Sequence, residues 1–172
     1  MSMQWITGVT VGGGGNFVIT GIPQTFTHLQ LRATARSSNN AALRSVFYAI
    51  PNNDLTLIYD IHYLYGDGAS VASNYVSNNQ YNAFTVAGST ANTNVYGSVI
   101  MDFLDYTNTN KNRVQRSLSG FDNNGSGFVS LTSQLYRSTN AISSLGIYTE
   151  GAIASGSRID LYGITSSAVT GA

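Results

Sequence analysis

The sequence predicts an all-β protein built as a two-sheet β sandwich, and three observations carry that expectation. Apolar and polar residues alternate with a period of two along most of the chain, the signature of strands with one buried face. The alternating runs are short and are separated by turns of Gly, Asn, Ser and Asp, with 18 glycines and only two prolines in 172 residues. The closing run, Ser157 to Ile164, is strongly committed: Ile159, Leu161 and Gly163 face one way, Arg158, Asp160 and Tyr162 the other. An unpaired apolar edge there would aggregate, so the run is expected to insert into a sheet beside the best early strand, His28 to Arg36.

Composition narrows the function classes. A single folded domain is expected, because 42% hydrophobic and 9% charged residues is the reverse of a disordered composition. The formal net charge is zero, so there is no basic surplus to displace counterions from phosphates, and no nucleic-acid partner is expected. Lys111 is the single lysine and Glu150 the single glutamate, which leaves the surface to Asn, Ser, Thr, Gln and Tyr. Such a surface gives little charge protection against association, and assembly is expected. There is no cysteine, hence no disulfide and no thiolate metal site. The start, Met1 to Trp5, lacks the features of a signal peptide. No apolar run approaches the ~20 residues of a membrane span, so synthesis in a cytoplasm without membrane partners is expected.

The elements follow in order. Trp5 to Val11 alternates as a short strand, and Gly12 to Gly15 is a flexible turn or hinge. No Lys-Ser/Thr follows those glycines, and the chain continues as strand, so they are not read as a phosphate loop. Phe17 to Ile22, His28 to Arg36, Arg44 to Ile50 and Leu57 to Tyr65 are the next strands, punctuated by Ile22–Pro23 and by Pro51 to Asp54. Ala69 to Asn79 is the one stretch expected to turn into a short helix, with Val71, Tyr75 and Val76 roughly on one face. Strands resume at Tyr81 to Val86 and Val95 to Leu104. Arg113 to Phe121 alternates Val114, Arg116, Leu118 and Gly120 against Arg113, Gln115, Ser117 and Ser119. Asn124–Gly125 signals a hairpin into Gly127 to Arg137, where Val129, Leu131 and Leu135 oppose Phe128, Ser130, Thr132, Gln134 and Tyr136. Ile142 to Thr149 is the penultimate strand. The organisation expected is an N-terminal arm with a glycine hinge (1–16), a β domain (17–164) and a small polar tail (165–172). First and last strands side by side favour a jelly roll among sandwiches.

Chemistry-bearing residues are few, and each has a structural reading. Asp102 and Asp105 are the nearest approach to the paired carboxylates of glycoside hydrolysis. The preferred reading is that one aspartate is ion-paired with Arg113, Arg116 or Lys111 and the other caps the turn. Asp60 and His62 share a strand face, but no Gly-x-Ser-x-Gly elbow accompanies them. With His28 and His62 as the only histidines, neither a triad nor a zinc site is expected. Asp122 to Gly127 has the look of a calcium loop, yet Ser133 stands where the bidentate glutamate belongs, and a hairpin explains it without metal. No catalytic residue, metal or cofactor is therefore assigned. The tyrosines stand out: Tyr59, Tyr63 and Tyr65 form a row on one strand face, with Tyr48 on another strand. Core, subunit interface and sugar-stacking platform remain open readings for them.

Two segments carry a resemblance: Ile22 to Arg32 with Ala35–Arg36, and the ending Ala154 to Ile164. Both, together with Asp102 to Asn112 between them, resemble small tailed-phage virion proteins of the jelly-roll type, over most of residues 17–164. The resemblance implies a head decoration (cement) protein or a tail-fibre protein, and it brings no catalytic residues. About sixteen residues precede the first similar strand, too few for a fibre trunk and enough for an arm that adds a strand to a neighbour. The expectation is thus a non-enzymatic virion protein bracing the head shell, its partners the capsid protein and copies of itself as a homotrimer. Trp5, Tyr48, Tyr59, Tyr63 and Tyr65 are the candidate contact residues. A carbohydrate-binding receptor module of a fibre or spike is the alternative.

Overall fold

The computed structural model describes residues 2–38, 41–79 and 84–166, and every regular element among them is a β-strand. In chain order these are β1 (Ser2–Thr10), β2 (Phe17–Ile19), β3 (His28–Ala35), β4 (Arg44–Pro51), β5 (Tyr59–Gly66) and β6 (Val71–Asn79). They continue with β7 (Phe84–Ala87), β8 (Gly97–Phe103), β9 (Arg113–Asp122), β10 (Gly127–Tyr136), β11 (Leu145–Thr149) and β12 (Arg158–Thr165). Eight of them form one antiparallel sheet in the order β1-β12-β3-β8-β9-β10-β5-β6, and four form a second in the order β2-β11-β4-β7.

The terminal pairing expected from the sequence is present. Strand β12 lies inside the large sheet between β1 and β3, with Leu161 directly opposite Leu31. Ile159, Leu161, Leu29, Leu31, Val99 and Met101 are buried together under Phe47, Phe84, Leu145 and Ile147 of the small sheet. Gly163 belongs to this face for a steric reason: a Cβ there would stand 2.3 Å from the Phe26 ring.

Two expectations are corrected. Residues 69–79 do not turn into a helix: Val71–Asn79 is the edge strand β6, paired with β5 from Gly66↔Val71 to Tyr59↔Asn79. Ser and Asn give a helix little support there, whereas pairing covers the open edge of β5 and sets Tyr75 opposite His62. A register shift between Tyr59 and Ile61 is absorbed at Asn78, which adopts φ 52° and donates its N–H to Asp60 Oδ1 at 3.0 Å. The N-terminal segment, expected to add a strand to a neighbour, adds it to its own sheet as β1, antiparallel to β12. A bulge between Trp5 and Thr7 breaks the simple alternation, so that Ile6 and Val9 both pack on the core while Trp5 stays on the outer face. The expected strand at 81–86 lies partly outside the described residues, as does the tail beyond 166. Thr165 closes β12, and the Ser166 N–H donates to Thr27 Oγ1 at 3.1 Å.

The β4–β7 part of the small sheet is covered on both faces. Phe47 and Ala49 of β4 enter the main core, whereas Ile50 and Tyr48 join a second cluster with Tyr59 of β5 and Tyr136 of β10. The β10–β5 half of the large sheet therefore reaches the face of β4 that β3, β8 and β12 do not. All four residues of β7, Phe84–Ala87, are buried as a result. Strand β7 runs against the inner face of β8 and β9: a Cβ at Gly97 would lie 2.7 Å from Val86 Cα, and the Thr85 N–H donates to Ser119 Oγ at 3.0 Å.

That crossing reverses the usual sense of the pattern in β9 and β10. Their buried sides carry Gln115, Ser117 and Ser119, and Ser130, Thr132 and Gln134. Their apolar sides, with Val114 and Leu118 on β9 and Val129 and Leu131 on β10, look outward. Small hydroxyl residues admit a strand at close range and supply partners to its edge amides, which a leucine does neither.

Candidate contact face on the large sheet

The register places the outward residues of the large sheet in straight cross-strand rows. Leu64 on β5 faces Leu131 on β10, Leu131 faces Leu118 on β9, and Leu118 faces Ile100 on β8. Their exposures are 48, 54, 54 and 45%, so half of each side chain is in water. Val129 (53%) stands beside the row, and Val114 (49%) lies beyond the polar row on its other side. Beyond Ile100 the same row becomes charged, with Arg32 on β3 and Asp160 on β12.

The next row is polar and bonded to itself. Asp102 accepts from Gln30 Nε2 at 2.8 Å and from Arg116 Nε at 3.0 Å, and Gln30 Oε1 accepts from Arg32 Nε at 2.8 Å. The Arg32 guanidinium lies 5.4 Å from the centroid of the Tyr162 ring. At the other end of this row His62 lies against Tyr75, the rings tilted by 32° with centroids 4.5 Å apart. An open groove of about 710 Å³ runs there, lined by His62, Leu64, Asn74, Tyr75, Arg116 and Leu131. The large sheet thus shows two outer territories, a charged one on β1, β12 and β3 and, on β8, β9, β10 and β5, a leucine row bordered by the self-paired Asp102–Arg116 row.

The residues singled out from the sequence are placed as follows. Trp5 is 54% exposed on edge strand β1, its indole N–H donating to Asp160 Oδ1 at 3.0 Å. Tyr59, Tyr63 and Tyr65 do share a face, but it is the inner one. Tyr59 is fully buried, stacked on Tyr136 at 5.1 Å with its hydroxyl donating to the Asp54 carbonyl at 3.0 Å, and so is closed to any partner. Tyr65 stacks on Phe128 at 5.1 Å, and Tyr63 accepts from Asn74 Nδ2 at 3.1 Å. Tyr48 is half-buried against Ile50, Tyr59 and Tyr136. Of the three readings left open for the row, Tyr59 takes the core one.

The ionisable candidates are separated and individually engaged. Asp102 is bound by Arg116 and Gln30, whereas Asp105 pairs with Lys111 and lies 3.5 Å from His28 Nδ1. The hydrogen bond from Lys111 holds the Asp105 carboxyl below the usual carboxylate value. Asp60 bonds to Arg137, which lowers its pKa, while His62 on the same strand turns to Tyr75. The hydrogen bond from Arg158 likewise lowers the pKa of Asp160. In the segment 122–127, Asp122 Oδ1 accepts the Asn124 N–H at 2.8 Å and Asn124 and Gly125 take positive φ, the geometry of a tight hairpin. Among the described residues no three His, Asp or Glu side chains gather as metal ligands would. Arg113 is fully buried, and Nη2 reaches the Thr139 carbonyl at 3.2 Å. Arg36 holds four carbonyls of the loop after β7, those of Ser89, Ala91, Asn92 and Val95.

Sequence reasoning did not single out Leu64, Ile100, Leu118 and Leu131, because alternation alone does not say which side of a strand is buried. The signal was the Ser/Thr/Gln content of the opposite sides of β9 and β10, which suits the approach of a crossing strand. No family model, curated protein or solved structure matches the chain.

Proposed function

We propose that this chain is a non-enzymatic structural protein of a tailed-phage particle, a jelly-roll head decoration (cement) protein made in the host cytoplasm and bound to the capsid shell. The observation that carries the structural part of the reading, a protein that works through protein contacts, is the outer face of β8, β9, β10 and β5, where a cross-strand row of half-exposed aliphatic side chains stands where a solvated sheet carries polar ones. The ion pairs at Asp60, Asp102, Asp105 and Asp160 support it, since each carboxylate is engaged by a cation and none is grouped with a second acid. The resemblance of residues 22–36 and 154–164 to virion proteins supplies the particle. The test is cryo-EM of shells incubated with the purified protein. Ordered density on the head surface is the expected result, and its absence from the head sinks the assignment.

A second reading, a carbohydrate-binding module of a tail fibre, is favoured by the groove beside Tyr75. An exposed ring lying against His62, with Asn74 and Arg116 at hand, has the makings of a sugar platform. Saturable binding on a glycan array, lost in Tyr75→Ala, would move the assignment there.

A further inference from the structure

We infer that the apolar face of β8, β9, β10 and β5 is covered by the same face of a second copy of this chain, in a two-fold symmetric dimer. The inference rests on the reading of that face as a contact surface, and it names the occupant.

The row Leu64, Leu131, Leu118, Ile100 is symmetric about its own midpoint, between β9 and β10. A two-fold axis in the contact plane, running along the strands at that midpoint, sets each copy's Leu131 over the other's Leu118 and each Leu64 over the other's Ile100. The rows on either side then match as well. Val129, a projecting side chain, falls over Gly120, its cross-strand neighbour's position with no side chain, and Leu135 falls over Val114. His62 falls over Asp102, which places an imidazole against a carboxylate, and Arg116 falls over Ser133. No like charges meet in these pairings. Strands in the two copies run aligned, the ordinary way for sheets to stack face to face.

The area suffices. Six side chains (Leu64, Ile100, Val114, Leu118, Val129 and Leu131) at 45–54% exposure present roughly 500 Å² of apolar surface, near the upper end of the patches on monomers. With Tyr75, His62 and Arg116 at the rim the covered area approaches the ~800 Å² per partner of a standard stable interface. The charged groups within the face, Arg116 and Asp102, already neutralise each other, so they leave no net charge to oppose a second copy. An isologous contact closes at two copies, so the dimer takes the place of the trimer expected from the sequence.

Sedimentation of the full chain from micromolar to hundreds of micromolar concentration is the first test. A dimer is expected, with Leu118→Asp weakening association about thirtyfold or more while far-UV circular dichroism stays unchanged and the melting temperature matches the parent's at concentrations where both are monomers. Val18→Asp, on the exposed side of the small sheet, should leave the dimer intact. The chain has no cysteine, so the geometry is testable by mixing Leu64→Cys with Ile100→Cys and adding a short bis-maleimide that spans the ~10 Å between stacked sheets: it should link the two variants to each other and neither to itself. A monomer throughout the range, a trimer, or association indifferent to Leu118→Asp overturns the inference. Particle binding is scored separately. A dimer that ignores phage heads fails the proposed function alone, and a monomer that decorates heads fails this inference alone.

Discussion

The backbone N–H of Thr85, on the edge of β7, donates to the hydroxyl of Ser119 on β9 at 3.0 Å, and that hydroxyl lies 3.0 Å from Ser130 Oγ on β10. One buried strand edge is thereby satisfied by side chains rather than by another strand. The consequence reaches the other side of the sheet: with serines facing in, the leucines of β9 and β10 face out. The contact face is the reverse side of the β7 crossing.

Replacing Ser119 tests that link. Ser119→Ala leaves the Thr85 N–H buried without its acceptor, and a loss of about 1–3 kcal/mol is expected. Urea denaturation reads it directly. A variant as stable as the parent would show that the hydroxyl is dispensable.

Close approach of β7 to β8 depends on Gly97. A Cβ there meets Val86 Cα at 2.7 Å and Ala87 N at 3.1 Å, backbone atoms that cannot swing aside. Gly97→Ala is expected to cost about 1–3 kcal/mol. Gly13→Ala, where nothing lies within 4 Å, is the control and should melt with the parent. Equal melting of the two variants would refute the crossing.

Acid should weaken the fold through its paired carboxylates. Hydrogen bonds from Lys111, Arg158 and Arg137 lower the pKa values of Asp105, Asp160 and Asp60 from the ordinary 3.8. A depressed folded-state pKa contributes stability that is complete above the unfolded value and is lost as pH falls through the folded one. The melting temperature is therefore expected to fall as pH drops below about 3.8. The gap between the parent and Asp160→Asn should close over the same interval, and a gap that persists in acid contradicts the assignment.

Strand β1 shields the edge of β12. Deleting residues 1–10 removes the partners of Arg158 to Thr165 and leaves a long edge open. Concentration-dependent association that Leu118→Asp does not suppress is expected in light scattering. A truncated chain that behaves like the parent would show that β12 needs no cover.

Much of the architecture is legible along the chain because adjacent residues report it. The alternation at Ile159, Leu161 and Gly163, and the commitment of the closing run, place β12 within a sheet next to β3, and the pairing of Leu161 with Leu31 follows. Asn124–Gly125 marks the β9–β10 hairpin in the same local way. The 69–79 segment reads as a turn of helix because Val71, Tyr75 and Val76 fit a helical face weakly, and only the open edge of β5 makes them a strand. The tyrosine row was visible, yet its direction was not: Tyr59 is enclosed by Tyr136, a residue far away in the chain.

What the amino-acid order determined by itself is which residues share a side of each strand, since a period of two is a property of neighbours. Which side meets the core was decided only when distant strands came together. Val86 and Thr85 had to arrive over Gly97 and Ser119 before the serines became interior and Leu118 and Leu131 became surface. Alternation is local and inversion of its sense costs the strand nothing, so the choice belonged to the crossing of β7, a contact between segments that the chain keeps apart until it folds.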